Sequence, residues 1–213
     1  MPPRPSVFRP KSAPARSSSG SSAMSDAATQ IRFGGLGGQG LVTLGAVLAE
    51  AGAIAGRRVA ASQAYGSRAR GGATRADVIL SEEEIDFPHV HHPDLLLVLA
   101  QEAYDLYAKD LAPRGVLLAD GFFVKNFSRS GIRQARVSAT ETALEKIGNA
   151  VAANFVMLGA GLGYTRLLDP ESVRQAMRHQ VNPRFLDVNL KAFDIGLEIG
   201  SGIGNQPEVG PWR

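Results

Sequence analysis

Ile31-Arg32-Phe33-Gly34-Gly35-Leu36-Gly37-Gly38-Gln39-Gly40-Leu41 decides how this chain is read. A short apolar strand runs into a glycine-rich turn. Beyond the turn, Leu41, Leu44, Leu48 and Ala51 recur at helical spacing, which predicts a helix over residues 39–54 bracketed by Gly52 and Gly56. Strand, glycine turn and helix open a βα unit. Glycine permits positive φ and removes Cβ atoms that would block an anion, while the helix start presents free N–H groups.

Working outward, strands are predicted at residues 58–64, 73–81, 94–100, 115–120 and 132–137. In the second of these, Thr74, Ala76, Val78 and Leu80 alternate with Arg75, Asp77 and Ile79, the pattern of a half-buried strand. The third is a continuous apolar run, Leu95-Leu96-Leu97-Val98-Leu99-Ala100, as in a parallel strand covered on both faces. Helices are predicted at 101–111, 140–147, 149–162, 170–179 and 186–199. Asp169 caps the fourth of these, with Pro170 at its first position. Strands alternating with helices predict an α/β fold: three layers, a largely parallel sheet flanked by helices, Rossmann-like, in a single domain.

The ends differ in composition. Residues 1–30 are rich in Pro, Ser, Ala and Arg and hold almost no large apolar residues, so a disordered N-terminal extension is expected. Arg4, Arg9, Lys11 and Arg16 precede the first acid, Asp26, and Met24-Ser25-Asp26 reads as an ordinary start, making the residues before it an upstream extension. The folded domain is expected over 31–199, with a flexible C-terminal tail over 200–213. The net charge of +3 among 213 residues gathers mostly in the first residues, so nucleic acid is not expected as a partner. No apolar run approaches the ~20 residues of a membrane span. Cysteine is absent, which removes disulfides, thiolate nucleophiles and cysteine-ligated clusters and fits a cytoplasmic location.

Gly35-x-Gly37-x-x-Gly40 matches a dinucleotide fingerprint, but such a unit places an acid at the end of the next strand, about 20 residues on. Arg58-Val59-Ala60-Ala61-Ser62-Gln63-Ala64 has none, and Arg57 and Arg58 stand before or at its start. The glycines read equally well as close packing of helix on strand.

Two signatures in order make the reading specific. Gly35-Leu36-Gly37-Gly38-Gln39-Gly40 resembles the glycine signature of the γ subunit or domain of 2-oxoacid:ferredoxin oxidoreductases. Tyr65-Gly66-Ser67-Arg68-Ala69-Arg70-Gly71-Gly72 resembles the second signature of that family, with Ser67-Arg68 where Pro-Glu is usual. Pro93-Asp94, the segment from Asn154 to Gly159, and Asn189-Leu190-Lys191-Ala192-Phe193-Asp194-Ile195-Gly196 extend the resemblance over nearly all of 31–196. It implies an accessory subunit of a complex that oxidatively decarboxylates a 2-oxoacid to an acyl-CoA and passes electrons to ferredoxin, or to NAD through a further subunit. Thiamine diphosphate and iron–sulfur clusters are then expected on partner chains, with no catalytic or metal-binding residue on this one. Gly35, Gly37, Gly38, Gln39, Gly40, Tyr65, Gly66, Arg68, Arg70, Gly71 and Gly72 are the implied cofactor- or interface-binding residues. Arg68, Arg70 and Arg75 are candidates for CoA phosphates, and salt bridges to a partner or to neighbouring acids are the favoured alternative. The competing function is a stand-alone Rossmann-type nucleotide-binding dehydrogenase or regulatory module.

Other groupings have plainer readings. His89-Val90-His91-His92 offers imidazoles, but adjacent side chains in extended chain point apart, so a loop is expected rather than a metal centre. Glu82-Glu83-Glu84 reads as a solvated turn, and Asp120 as either a ligand group or a cap.

Overall fold

The computed structural model describes residues 28–64, 72–206 and 209–212. The chain runs β1 (Ala28–Leu36), α1 (Leu41–Ile54), β2 (Arg58–Ala64), β3 (Ala73–Ser81), β4 (Leu95–Val98), α2 (Gln101–Tyr107), β5 (Val116–Asp120), β6 (Arg133–Val137), α3 (Ala139–Ile147), α4 (Ala153–Thr165), α5 (Pro170–Gln180) and α6 (Leu186–Ile203). One sheet of six strands is ordered β2-β3-β1-β4-β5-β6. β1, β4, β5 and β6 run parallel, and β3 is antiparallel to both β1 and β2. The three-layer α/β fold with a largely parallel sheet is therefore as the sequence predicts, with β3 as the exception.

The layers follow from the apolar runs. Ile31, Phe33, Leu95, Leu97, Val116 and Leu118 face a large core with α1, α4 and their neighbours, while Leu96, Val98, Leu117 and Ala119 face a smaller one under α2. β3 departs from the half-buried pattern: Ala76 to Ser81 are all buried. Its polar residue Asp77 meets Arg32 on β1, 2% exposed, with Arg32 Nε donating to Asp77 Oδ1 at 2.7 Å and Nη2 to Oδ2 at 2.9 Å.

α4 and α6 pack with almost no side chains between them. A Cβ on Gly159 would meet the Phe193 carbonyl, one on Gly163 the Leu197 carbonyl, one on Gly196 the Val156 carbonyl and one on Gly200 the Ala160 carbonyl. This contact carries α6 past Gly200, where the sequence suggests a flexible tail. Val209 is 2% exposed, Trp212 lies edge-on to Tyr164 at 5.8 Å, and Arg133 Nε on β6 donates to the Val209 carbonyl at 2.6 Å. The described part of the tail is thus packed against the domain.

α1 and α5 are joined at the surface. His179 Nδ1 lies 2.5 Å from Glu50 Oε1, and the Gln180 amide donates to Glu50 Oε2 at 2.5 Å. Those contacts, from Gln180 first and then His179, hold the Glu50 carboxyl below its ordinary range. A depressed carboxylate stabilises the fold above its unfolded value near 4.5 and stops doing so as pH falls through the folded value. Glu50→Gln is expected to be less stable than wild type at neutral pH by under about 1 kcal/mol for so exposed a pair, and this difference is expected to shrink as pH drops below about 4.5. Thermal melts of both proteins between neutral and acid pH check this.

Candidate functional site: a braced glycine turn

The turn after β1 is closed by its own side chains. Gln39 folds back so that its Oε1 accepts the Leu36 N–H at 2.6 Å and its Nε2 donates to the Leu99 carbonyl at 2.9 Å, just past the end of β4. Asn154, 5% exposed at the start of α4, donates to the Gln39 carbonyl at 3.3 Å. Three elements therefore hold one turn.

The glycines answer different demands. A Cβ on Gly35 would strike Gln39 Oε1, and one on Gly40 would strike the Asn154 amide. Gly38 at φ 89° and Gly40 at φ 74° need the left-handed region. Gly37 is exposed, and a Cβ there would meet nothing within 4 Å. α1 begins from this turn with no side-chain cap and no acid in its first turn, so no side chain of its own offsets the positive end of the helix dipole there. A hollow of about 160 Å³ beside Gly38 and Gln39 is lined by Leu99, Phe123 and Val151; Phe123 and Val151 are 47% and 67% exposed. A second, of about 400 Å³, lies beyond Gly40 and is rich in amide side chains, among them Asn149, Asn182 and Asn189. Backbone donors, amides and exposed apolar groups suit an anionic or amide-bearing ligand, or a partner surface.

Gly72, the last residue of the second signature, is brought to the same end of the sheet. β3 pairs with β1 so that Leu36 lies opposite Ala73 and Gly35 opposite Thr74, which places Gly72 beside the glycine turn. Tyr65, Gly66, Arg68, Arg70 and Gly71 lie outside the described residues. Arg75 stands on the α2 side of the sheet, its Nε 3.4 Å from Asp77.

Of the remaining groups, Asp120 is a cap. It is fully buried, and it accepts the N–H groups of Phe122 at 3.2 Å and Thr140 at 3.3 Å and the Thr140 hydroxyl at 2.5 Å. Arg57 pairs with Glu82 at 3.1 Å. Among the described residues no group of three or more His, Asp or Glu side chains is placed to hold a metal ion, and no helix is long and apolar enough to cross a membrane. Gln39 and Asn154 as braces follow from contacts 60 and 115 residues apart in sequence, which spacing does not reveal.

Fold and turn together define a Rossmann-like α/β domain with a braced glycine turn at the end of β1. The chain belongs to the pyruvate ferredoxin/flavodoxin oxidoreductase family, whose model matches residues 30–199. It is 36% identical over 177 residues to the 2-oxoglutarate synthase subunit KorC of Methanothermobacter marburgensis, covering 80% of this chain and 95% of that protein. The γ subunit of a keto/oxoacid ferredoxin oxidoreductase from Geobacter sulfurreducens superposes with a TM-score of 0.75 at 36% identity, over 83% of this chain and 98% of the other. The 2-oxoglutarate:ferredoxin oxidoreductase of Magnetococcus marinus shares the fold, with a TM-score of 0.76 at 22% identity over 89% of this chain and 33% of the other.

Proposed function

We propose that this chain is the γ-type accessory subunit of a multi-subunit 2-oxoacid:ferredoxin oxidoreductase that converts a 2-oxoacid to an acyl-CoA, with 2-oxoglutarate as the substrate. The similarity to a 2-oxoglutarate synthase subunit over 95% of that protein's length carries the reading. The chemistry belongs to partner chains. With no cysteine in the sequence, this chain lacks the thiolates that iron–sulfur clusters need, so clusters sit on the partners, and the reading places thiamine diphosphate there with them. This chain contributes the rim of its glycine turn, and the segment of Arg68 and Arg70 that precedes Gly72 in sequence, to assembly and to closing the site where CoA enters. Reconstitution tests the assignment: 2-oxoglutarate- and CoA-dependent ferredoxin reduction is expected only when this chain is present with its partners. Turnover of pyruvate in place of 2-oxoglutarate would reject the substrate, and full activity without the chain would reject the role.

Gly37 separates fold from function. A Cβ there meets nothing within 4 Å and needs no left-handed backbone, so Gly37→Trp is expected to leave the stability of the isolated chain within the ~0.5 kcal/mol typical of surface changes. In the complex, the same variant is expected to lower assembly or activity at least about tenfold by obstructing a close contact. Unchanged activity would remove the turn from the working surface.

A further inference from the structure

Two features that the sequence presents separately, Arg75 and the histidine-rich loop before β4, meet in one polar pit on the α2 side of the sheet. The pit has a volume of about 330 Å³. Its floor is the buried Arg32–Asp77 pair. Arg32 also donates to the Val90 carbonyl at 2.7 Å and lies over the Tyr107 ring at 5.3 Å, so the floor is fixed. The walls are built from three directions. β3 supplies Arg75, and neighbouring β2 supplies Ser62. The turn after α2 supplies Asp110, 3.6 Å from Arg32 Nη1. The loop before β4 supplies His89, His91 and His92.

The loop is held in place. The His91 N–H donates to Gln30 Oε1 at 3.0 Å, His92 Nδ1 lies 3.2 Å from the Asp110 carbonyl, and Phe87 props His89 edge-on and His91 face-on at 5.2 and 5.3 Å. Asp77 is engaged at both oxygens by Arg32, and its Oδ2 also faces Arg75 Nε at 3.4 Å, toward the long end of a hydrogen bond. Arg75 stays 38% exposed. Around it stand three exposed imidazoles and the Ser62 hydroxyl. A carbonyl only accepts, so His92 gives its Nδ1–H to Asp110, and His89, His91 and Ser62 are the donors left for a ligand.

We infer that this pit binds a phosphate-type oxyanion, as the free ion or as the terminal group of a small organic phosphate, with Arg75, His89 and His91 as its ligands. The guanidinium fork matches two oxygens of a tetrahedral anion, and imidazole N–H groups fill the remaining positions. Arg32 and Arg75 balance Asp77 and Asp110 in charge, so recognition rests on the Arg75 fork and the imidazole N–H groups. The face is separate from the glycine turn, so the pit and the turn stand or fall independently.

The full chain, titrated with inorganic phosphate and followed by imidazole NMR shifts and calorimetry, tests this. Saturable binding is expected at neutral pH. It is expected to be lost in Arg75→Gln and to weaken about tenfold in a variant with His89 and His91 both changed to Ala. Arg75 is not part of the buried floor, and circular dichroism of its variant checks that it folds. A tighter constant for an organic phosphate monoester than for the free ion would assign the pit to the ester. Binding unchanged in Arg75→Gln, or no saturation, would overturn the inference. So would a result in which phosphate fails to bind but Arg75→Gln loosens the assembled complex, since the pit would then be a socket for an acidic side chain of a partner.

Discussion

Gly200→Ala is expected to destabilise the domain by about 3 kcal/mol, at the upper end of the range for overpacking a core. The new methyl would meet the Ala160 carbonyl, its carbon at 2.8 Å and the Tyr164 nitrogen at 2.8 Å. All three are backbone of α4, and backbone cannot rotate aside. For a chain of this size the melting temperature falls by roughly 6–12 °C. Gly202 on the same helix supplies the control. A Cβ there meets nothing within 4 Å, so Gly202→Ala is expected to raise stability by up to about 1 kcal/mol, the ordinary helix preference of alanine over glycine. Opposite signs two residues apart, measured by denaturant titration, would establish the backbone-to-backbone seam. Equal effects would refute it.

Arg32→Met is expected to destabilise the fold by about 3–5 kcal/mol, because it strands Asp77 at 3% exposure with Arg75 as its remaining partner at 3.4 Å. The loss belongs to the orphaned carboxylate rather than to the pair. Arg32→Met combined with Asp77→Leu is therefore expected to recover most of the stability, since apolar replacements of buried ion pairs are often neutral or better. A double variant as unstable as the single would mean that Arg32 acts chiefly through the Val90 carbonyl and the Tyr107 ring instead.

The two cases mark where sequence reading reaches and where it stops. β2 and β3 are legible to the residue, and β4, β5 and β6 nearly so, because apolar runs bounded by glycine and polar residues are local signals. β1 runs from Ala28 to Leu36, past both ends of the short strand read at Ile31-Arg32-Phe33, so residues 28–30 belong to the sheet and not to the expected disordered extension. The antiparallel direction of β3 is not local. Nor is the partner of Asp77, which looks like a solvent-facing charge until β1 is laid beside it with Arg32 opposite. Gly200-Ser201-Gly202 reads as a helix breaker for the same reason: glycine that serves close approach cannot be told from glycine that serves flexibility without the facing helix. At the turn, the strand, glycines and helix start are legible in the signature, but the brace from Gln39 to Leu99 and from Asn154 to Gln39 depends on contacts across the fold.

That brace has a kinetic consequence. A turn closed by Gln39 and Asn154 keeps one shape whether or not anything rests on its rim. Association then needs no folding of the loop on arrival, and little ordering entropy is lost at the moment of contact. With the rim as the working surface proposed above, loosening the brace with Gln39→Ala is expected to appear first as slower capture, measured as the association rate with the partner chains.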